Sequence, residues 1–149
     1  MEVCFVTSLF SDNYKISDKP IKFKKNEDYD YYLFTNLDKN KFDTSWEIVN
    51  IFNDEKNFSN IKHNVIRSRY PKFMFWQYLK EVMKKKYDVV FYCDCILYPN
   101  SDVNWKKYGD IILKSESGII QSLHFLNNTP YDECDFIFKE RKETEEDMI

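Results

Sequence analysis

Residues 87–97 read Tyr-Asp-Val-Val-Phe-Tyr-Cys-Asp-Cys-Ile-Leu, and this segment decides the fold. An apolar run from Val89 to Cys93 leads directly to the carboxylate of Asp94. A short apolar run with polar residues on both sides is typical of a strand that is buried on both faces of a sheet. Because a charged carboxylate is costly to desolvate without partners, we expect Asp94 to face a polar crevice. In open α/β sheets such crevices lie outside the carboxyl ends of the strands and bind ligands.

The composition predicts a single globular domain over residues 1–149. A chain of 149 residues buries about two-thirds of the surface that it exposes when unfolded. Aromatic residues make up 18% of the chain, so we expect a core built from large rings. The chain contains only 2 glycines, which excludes the glycine-rich fingerprints of dinucleotide and P-loop sites. Any phosphate site must therefore use side chains, a metal ion or a helix N-terminus.

Charge and cysteine content exclude several classes of partner. The net charge of −3 arises from balanced acidic and basic residues and predicts no nucleic-acid surface. The first residues carry no basic segment followed by a long apolar one, so we expect no signal peptide and no membrane span, and a cytoplasmic protein. The 4 cysteines are scattered apart from Cys93 and Cys95, which predicts reduced thiols.

The chain reads first as strands and then as alternating helices and strands, which predicts the α/β class. Polar residues and turn signals bound each element. We expect the helix that begins near Ser68 to have Pro71 in its first turn and to bury Phe73 and Trp76. The predicted elements are strands at Val3–Leu9, Tyr29–Asn36 and Trp46–Phe52, a helix from Ser68, a strand at Tyr87–Tyr92, a short helix at Val103–Tyr108, a strand at Ile111–Lys114, an apolar strand at Gly118–Phe125 and a terminal helix within Pro130–Met148.

Several short motifs carry a resemblance to a known family. Arg69, Pro71 and Lys72 stand at the helix start, Asp94 closes the apolar strand, and a later apolar segment ends in His124. This order resembles glycosyltransferases of the GT-A fold, and most closely a family first catalogued as a domain of unknown function. Its members combine an R-x-P-K helix start, a strand that ends in a single aspartate and an A-I-x-x-H segment. The resemblance implies a nucleotide-diphospho-sugar transferase-like, Rossmann-like three-layer sandwich, in a truncated form.

The resemblance also implies a function. The chain would be a metal-dependent glycosyltransferase that moves a hexosyl or pentosyl group from a UDP- or GDP-linked sugar to an acceptor that the sequence does not identify. A divalent ion, Mn²⁺ or Mg²⁺, neutralises the charge that builds on the departing diphosphate. The implied site residues are Asp94 and His124 for the metal, Thr7, Ser8, Thr35, Asn36, Arg69 and Lys72 for the nucleotide, and Glu133 and Asp135 for catalysis.

Other interpretations remain open. The GT-A signature has a second aspartate, which Cys95 and Ile96 do not supply, and little chain follows Asp94. The chain is therefore a minimal transferase, a nucleotide-sugar-binding module without turnover that assembles as a homodimer, or a decayed relative. Asp94 as a simple turn cap is a further alternative. A thiol or zinc protein would use Cys4, Cys93, Cys95 and Cys134, but their spacing favours core packing.

Overall fold

Four parallel strands form the sheet of the computed structural model, which describes residues 1–11, 19–38, 42–51 and 64–120, the side chains of 64–71 excepted. The strands are β1 (Val3–Leu9), β2 (Asp30–Thr35), β3 (Glu47–Asn50) and β4 (Val89–Tyr92). Each lies within two residues of its predicted bounds where those are described, so these four predicted strands and the α/β class are confirmed. The order in the sheet is β3-β2-β1-β4, and each neighbouring pair is parallel.

The chain changes direction across the sheet at β1. It adds β2 and β3 on one side of β1 and then returns to add β4 on the other side. The same order begins the doubly wound Rossmann fold. The connection from β3 to β4 contains helix α1 (Asn64–Glu81). The boundary between β1 and β4 is therefore the topological switch point, where open α/β sheets form their ligand crevice.

The sheet is buried on both faces by mostly aromatic and aliphatic side chains. Alternate residues of a strand point to opposite faces, so the strands supply two separate clusters. The first cluster contains Cys4, Val6, Tyr32, Phe34 and Ile51 with Tyr78 and Leu79 of α1. The second contains Val3, Phe5, Tyr31, Leu33, Trp46 and Cys95, with Trp105 packed against it. The ring of Phe5 lies at its centre, with ring centroids 5.2 Å from those of Tyr31, Phe91 and Trp105.

Helix α1 differs from the prediction in its start and in its buried face. It begins at Asn64, so Pro71 lies inside the helix and the predicted start at Ser68 is wrong. Phe73 and Trp76 are 65% and 53% exposed, so their assignment to the core is wrong as well. The helix instead turns the face that carries Phe75, Tyr78 and Leu79 toward the sheet.

One helix replaces the predicted short helix and following strand. Helix α2 (Trp105–Lys114) includes the apolar segment Ile-Ile-Leu at 111–113, so the strand predicted at Ile111–Lys114 is wrong. Trp105, Gly109 and Ile112 are its less exposed positions, at the spacing of one helical face. A Cβ on Gly109 would lie 3.3 Å from Cγ2 of Val89. The absence of a side chain there lets α2 approach β4 closely.

Residues 1–114 form one compact unit, and residues 115–149 form a second one. In the second unit the structure describes residues 115–120, where a turn at Gly118 has φ of 65° and no strand begins. The rest of the predicted strand at Gly118–Phe125 and the predicted terminal helix lie outside the described residues. The expectation of one domain over residues 1–149 stays a prediction. Neither α1 nor α2 combines the length and the apolar character that crossing a bilayer requires.

Candidate functional site

A crevice of about 250 Å³ lies at the switch point, outside the carboxyl ends of β1 and β4. Parallel pairing brings these two strand ends to the same edge of the sheet. The side chain of Asp94 is exposed here, so its charge keeps contact with water. The crevice is lined by Ser8, Leu9 and Phe10 after β1 and by Tyr92, Asp94, Cys95 and Ile96 after β4.

A row of hydroxyl groups connects the two strands to the carboxylate of Asp94. The hydroxyl of Tyr92 donates to Oδ1 of Asp94 at 3.3 Å. The same Tyr92 oxygen lies 3.4 Å from Oγ of Ser8. The backbone carbonyl of Asp94 accepts the N–H of Leu97 at 2.9 Å, which closes the following turn. The backbone, and not the carboxylate, therefore makes this turn bond, and the carboxylate stays directed at the crevice residues.

Tyr92 combines a half-buried phenol with a cation on its ring face. Burial raises the pKa of Tyr92 to about 12, the Asp94 charge adds to this, and the Ser8 hydroxyl opposes it. The phenol is therefore protonated and able to donate at neutral pH. Nζ of Lys72 lies 4.9 Å from the centroid of the Tyr92 ring, within cation–π range. Lys72, predicted to bind the nucleotide, thus lies beside a ring that lines the crevice.

Three other residues predicted to bind the nucleotide lie away from the crevice lining. Thr7 is fully buried, and its Oγ1 has no hydrogen-bond partner within the described part of the chain. Thr35 is also fully buried, and its Oγ1 accepts the N–H of Leu37 at 3.1 Å. Asn36 bridges to the backbone of Ser11, with Oδ1 accepting its N–H at 3.1 Å and Nδ2 donating to its carbonyl at 2.9 Å. Thr35 and Asn36 therefore shape the loops at this edge of the sheet.

The remaining predicted site residues are only partly described. Arg69 lies in the second turn of α1, and its side chain is outside the described set. Because α1 begins at Asn64, Arg69 and Lys72 do not stand at the helix start as predicted, and they lie beyond its four free N–H groups. His124, Glu133 and Asp135 lie outside the described residues.

The carboxylate of Asp94 fits a metal ion that is shared with a bound ligand. Across the described ranges there is no group of three or more histidine, cysteine, aspartate or glutamate side chains able to hold a metal ion. Mg²⁺ sites commonly use one or two carboxylates and complete their coordination with phosphate oxygens and waters. Asp94 alone meets that requirement, whereas a metal site made only of protein ligands would need more donors.

The described cysteines are suited to packing. Cys4 and Cys95 are buried, and Cys93 is half-buried. Burial raises the pKa of Cys93 to about 12, with the Asp94 and Cys95 charges as further causes, and burial also raises the pKa of Cys4. Thiols in this state are poor nucleophiles and poor metal ligands. Cys134 lies outside the described residues.

Tyr92 is the site residue that the sequence interpretation missed. It stands two positions before Asp94, and residues two apart share a face of an extended chain. The spacing and the hydroxyl of Tyr92 could therefore have indicated a contact with Asp94. We did not expect that contact because a tyrosine within an apolar strand is more often a core residue.

Comparisons with known proteins returned no match: no family model, curated protein or solved structure is similar to this chain. The proposed function therefore rests on the fold, on the crevice and on the resemblance of the sequence motifs.

Proposed function

We propose that this chain is a metal-dependent glycosyltransferase that binds a UDP- or GDP-linked sugar at the β1–β4 crevice. The observation that carries the proposal is the exposed carboxylate of Asp94 at the switch point of a parallel sheet. In this proposal the sheet is the nucleotide-binding part of a three-layer sandwich of the GT-A type. That finer assignment comes from the resemblance described for the sequence.

The size of the crevice favours the diphosphate end of the donor, and a metal ion on Asp94 would offset the negative charge of the lining. At about 250 Å³ it is smaller than the ~300–1,000 Å³ of sites that enclose a whole drug-sized ligand. We therefore place the diphosphate in the crevice, with the nucleoside and the sugar extending beyond it. Asp94 would hold a Mn²⁺ or Mg²⁺ ion, which when bound supplies Lewis-acid stabilisation of the leaving diphosphate. Lys72 would add a second positive charge near the same oxygens.

A second candidate is a nucleotide-sugar-binding module without turnover. Among the lining residues that the structure describes, Asp94 is the one carboxylate, and the proposal already uses it as the metal ligand. The lining therefore offers no separate group to act as a general base toward an acceptor. In the transferase proposal that role falls to Glu133 or Asp135. The module predicts nucleotide binding without release of sugar, whereas the transferase predicts release of UDP or GDP in the presence of an acceptor or water.

A thermal-shift panel tests the proposal. The protein is melted with UDP- and GDP-sugars, each with and without MnCl₂. At a ligand concentration of about 100 Kd, binding contributes ~2.7 kcal/mol, a rise in Tm of roughly 5–10 °C for a domain of this size. Asp94→Asn should lose the metal-dependent rise, and Asp110→Asn, an exposed carboxylate on α2, should keep it. No rise with any nucleotide, or an unchanged response of Asp94→Asn, would contradict the proposal.

Nucleotide release then separates the two candidates. The same donors are incubated with the protein and MnCl₂, and free UDP or GDP is measured by chromatography. Release that Asp94→Asn abolishes supports the transferase. Binding in the thermal-shift panel with no release from any donor supports the module.

A further inference from the structure

Tyr92 is the last residue of β4, and its hydroxyl contacts both Ser8 of β1 and Asp94 after β4. Its hydroxyl donates to Oδ1 of Asp94 at 3.3 Å, and its oxygen lies 3.4 Å from Oγ of Ser8. An ionised carboxylate only accepts hydrogen bonds, so the Tyr92 proton belongs to the contact with Asp94. The lone pairs of the Tyr92 oxygen then remain available to the Ser8 hydroxyl. The carboxylate on β4 is thus connected through Tyr92 to β1.

The ring of Tyr92 is itself held in place. Lys72 of α1 covers one face of the ring, and the ring packs at the margin of the cluster that contains Val6 and Tyr78. A donor on a fixed ring can fix the rotamer of the group that it contacts. Asp94 has no other hydrogen-bond partner for its carboxylate in the described part of the chain. The orientation of the carboxylate therefore depends on this one donor.

We propose that Tyr92 is a positioning residue whose hydrogen bond to Oδ1 of Asp94 orients the carboxylate so that Oδ2 would be the preferred oxygen for the metal ion. This inference rests on the proposed function. Carboxylates that bind metals are commonly held by such hydrogen bonds, and removal of the partner typically lowers metal affinity by ~10–100-fold. A carboxylate with one free oxygen suits an ion that binds carboxylates through one oxygen. Mg²⁺, with its strict octahedral geometry, is such an ion, whereas Ca²⁺ readily takes both oxygens.

Tyr92→Phe removes the donor and keeps the ring under Lys72. The affinity for Mg²⁺ in the presence of UDP should fall at least tenfold by calorimetry. Because Oδ1 becomes free, the affinity for Ca²⁺ should fall less, so the ratio of Mg²⁺ to Ca²⁺ affinity should decrease. A merely structural role would lower both affinities together and leave the ratio unchanged. Tyr98→Phe, an exposed tyrosine whose ring stacks on Phe23 with centroids 5.8 Å apart, is the matched control.

The wild type and Asp94→Asn separate failure of this inference from failure of the proposed function. If the wild type binds UDP with Mg²⁺ and Asp94→Asn does not, the proposed site stands and Tyr92→Phe decides the inference. An unchanged Mg²⁺ affinity or an unchanged ratio in Tyr92→Phe overturns the positioning role alone. If the wild type binds no UDP with either ion, the proposed function fails and the inference fails with it. Circular dichroism checks that each variant keeps the fold of the wild type.

Discussion

Val6 and Tyr92 are register partners across the boundary between β1 and β4. Two positions further along each strand, Ser8 and Asp94 emerge at the same edge of the sheet, and both line the crevice. This neighbourhood exists because the chain passes through β2 and β3 before it returns to pair β4 with β1. Strand order, and not proximity in sequence, thus assembles the candidate site.

The charge of Lys72 should contribute to nucleotide binding. Lys72→Met keeps the length and the apolar character of the side chain but removes the charge near the Tyr92 ring. We expect the affinity for UDP with Mg²⁺ to fall about tenfold at low salt, which corresponds to ~1.4 kcal/mol. Because the ammonium is exposed, the loss should shrink as salt is added. Lys80→Met, on the same helix, is the control. Equal affinities of the two variants would exclude Lys72 from the site.

The thiol of Cys93 should react slowly in the folded protein. A pKa of about 12 leaves roughly a thousandfold less thiolate at pH 8 than the ordinary value of 9.0. Alkylation with iodoacetamide at pH 8, followed by peptide mass spectrometry, should label Cys93 much more slowly in buffer than in guanidinium chloride. Rapid labelling in buffer would contradict the buried, protonated thiol. Such a result would instead support the alternative that the chain is a thiol protein.

Stability should decline above about pH 9. Burial raises the pKa of Tyr32 and of Cys93 to about 12, and burial with a hydrogen bond to Asp30 also raises the pKa of Tyr87. The folded state then retains protons that the unfolded state loses above pH 9 from the thiol and above pH 10 from the two phenols, so these groups stabilise fully below pH 9 and progressively less up to pH 12. Urea titrations at pH 8, 9, 10 and 11 should show a falling midpoint. A midpoint that is constant to pH 11 would contradict the burial of these groups.

Gly109 should tolerate alanine but not a longer side chain. Its added Cβ would lie 2.6 Å from Sδ of Met1, which is near the far end of a flexible side chain at the chain terminus and can shift to make room. Alanine also favours a helix over glycine by ~1 kcal/mol, so Gly109→Ala should be neutral or more stable. Gly109→Leu should be destabilised by ~1–3 kcal/mol against Val89. Urea unfolding measures both. A leucine variant as stable as the alanine variant would contradict the close approach of α2 to β4.

The strands were predictable because their signals are local. An apolar, β-branched run defines β1 at its observed bounds, Val3–Leu9. The strand predicted at Ile111–Lys114 failed because three consecutive apolar residues fit a strand and a helix equally well. Gly109 was interpreted as the point where that strand starts, whereas it lies inside α2 and allows a close contact there. The buried face of α1 was misassigned because aromatic residues occur around its circumference, and only packing decides which of them are covered.

The site was predictable in part. The position of Asp94 after an apolar strand follows from local sequence, but its neighbours follow from the order of strands in the sheet. The sequence analysis also assigned Thr7 and Ser8 to the same role, binding of the nucleotide. Adjacent strand residues face opposite sides, so Ser8 reaches the crevice while Thr7 joins the side of the sheet that carries Phe5. The role of Tyr92 could be inferred only from the structure, because it depends on how close its hydroxyl lies to the carboxylate of Asp94.

Nuclear magnetic resonance with Mg²⁺ and UDP tests the central claim most directly. In ¹⁵N–¹H spectra of the full chain, the two ligands added together should shift the amide signals of the crevice residues Ser8, Leu9, Phe10, Cys95 and Ile96. The shifts should be absent in Asp94→Asn and much weaker with either ligand alone. No shift, or shifts confined to α2 and other surfaces away from this edge of the sheet, would contradict a nucleotide and metal site at the β1–β4 crevice.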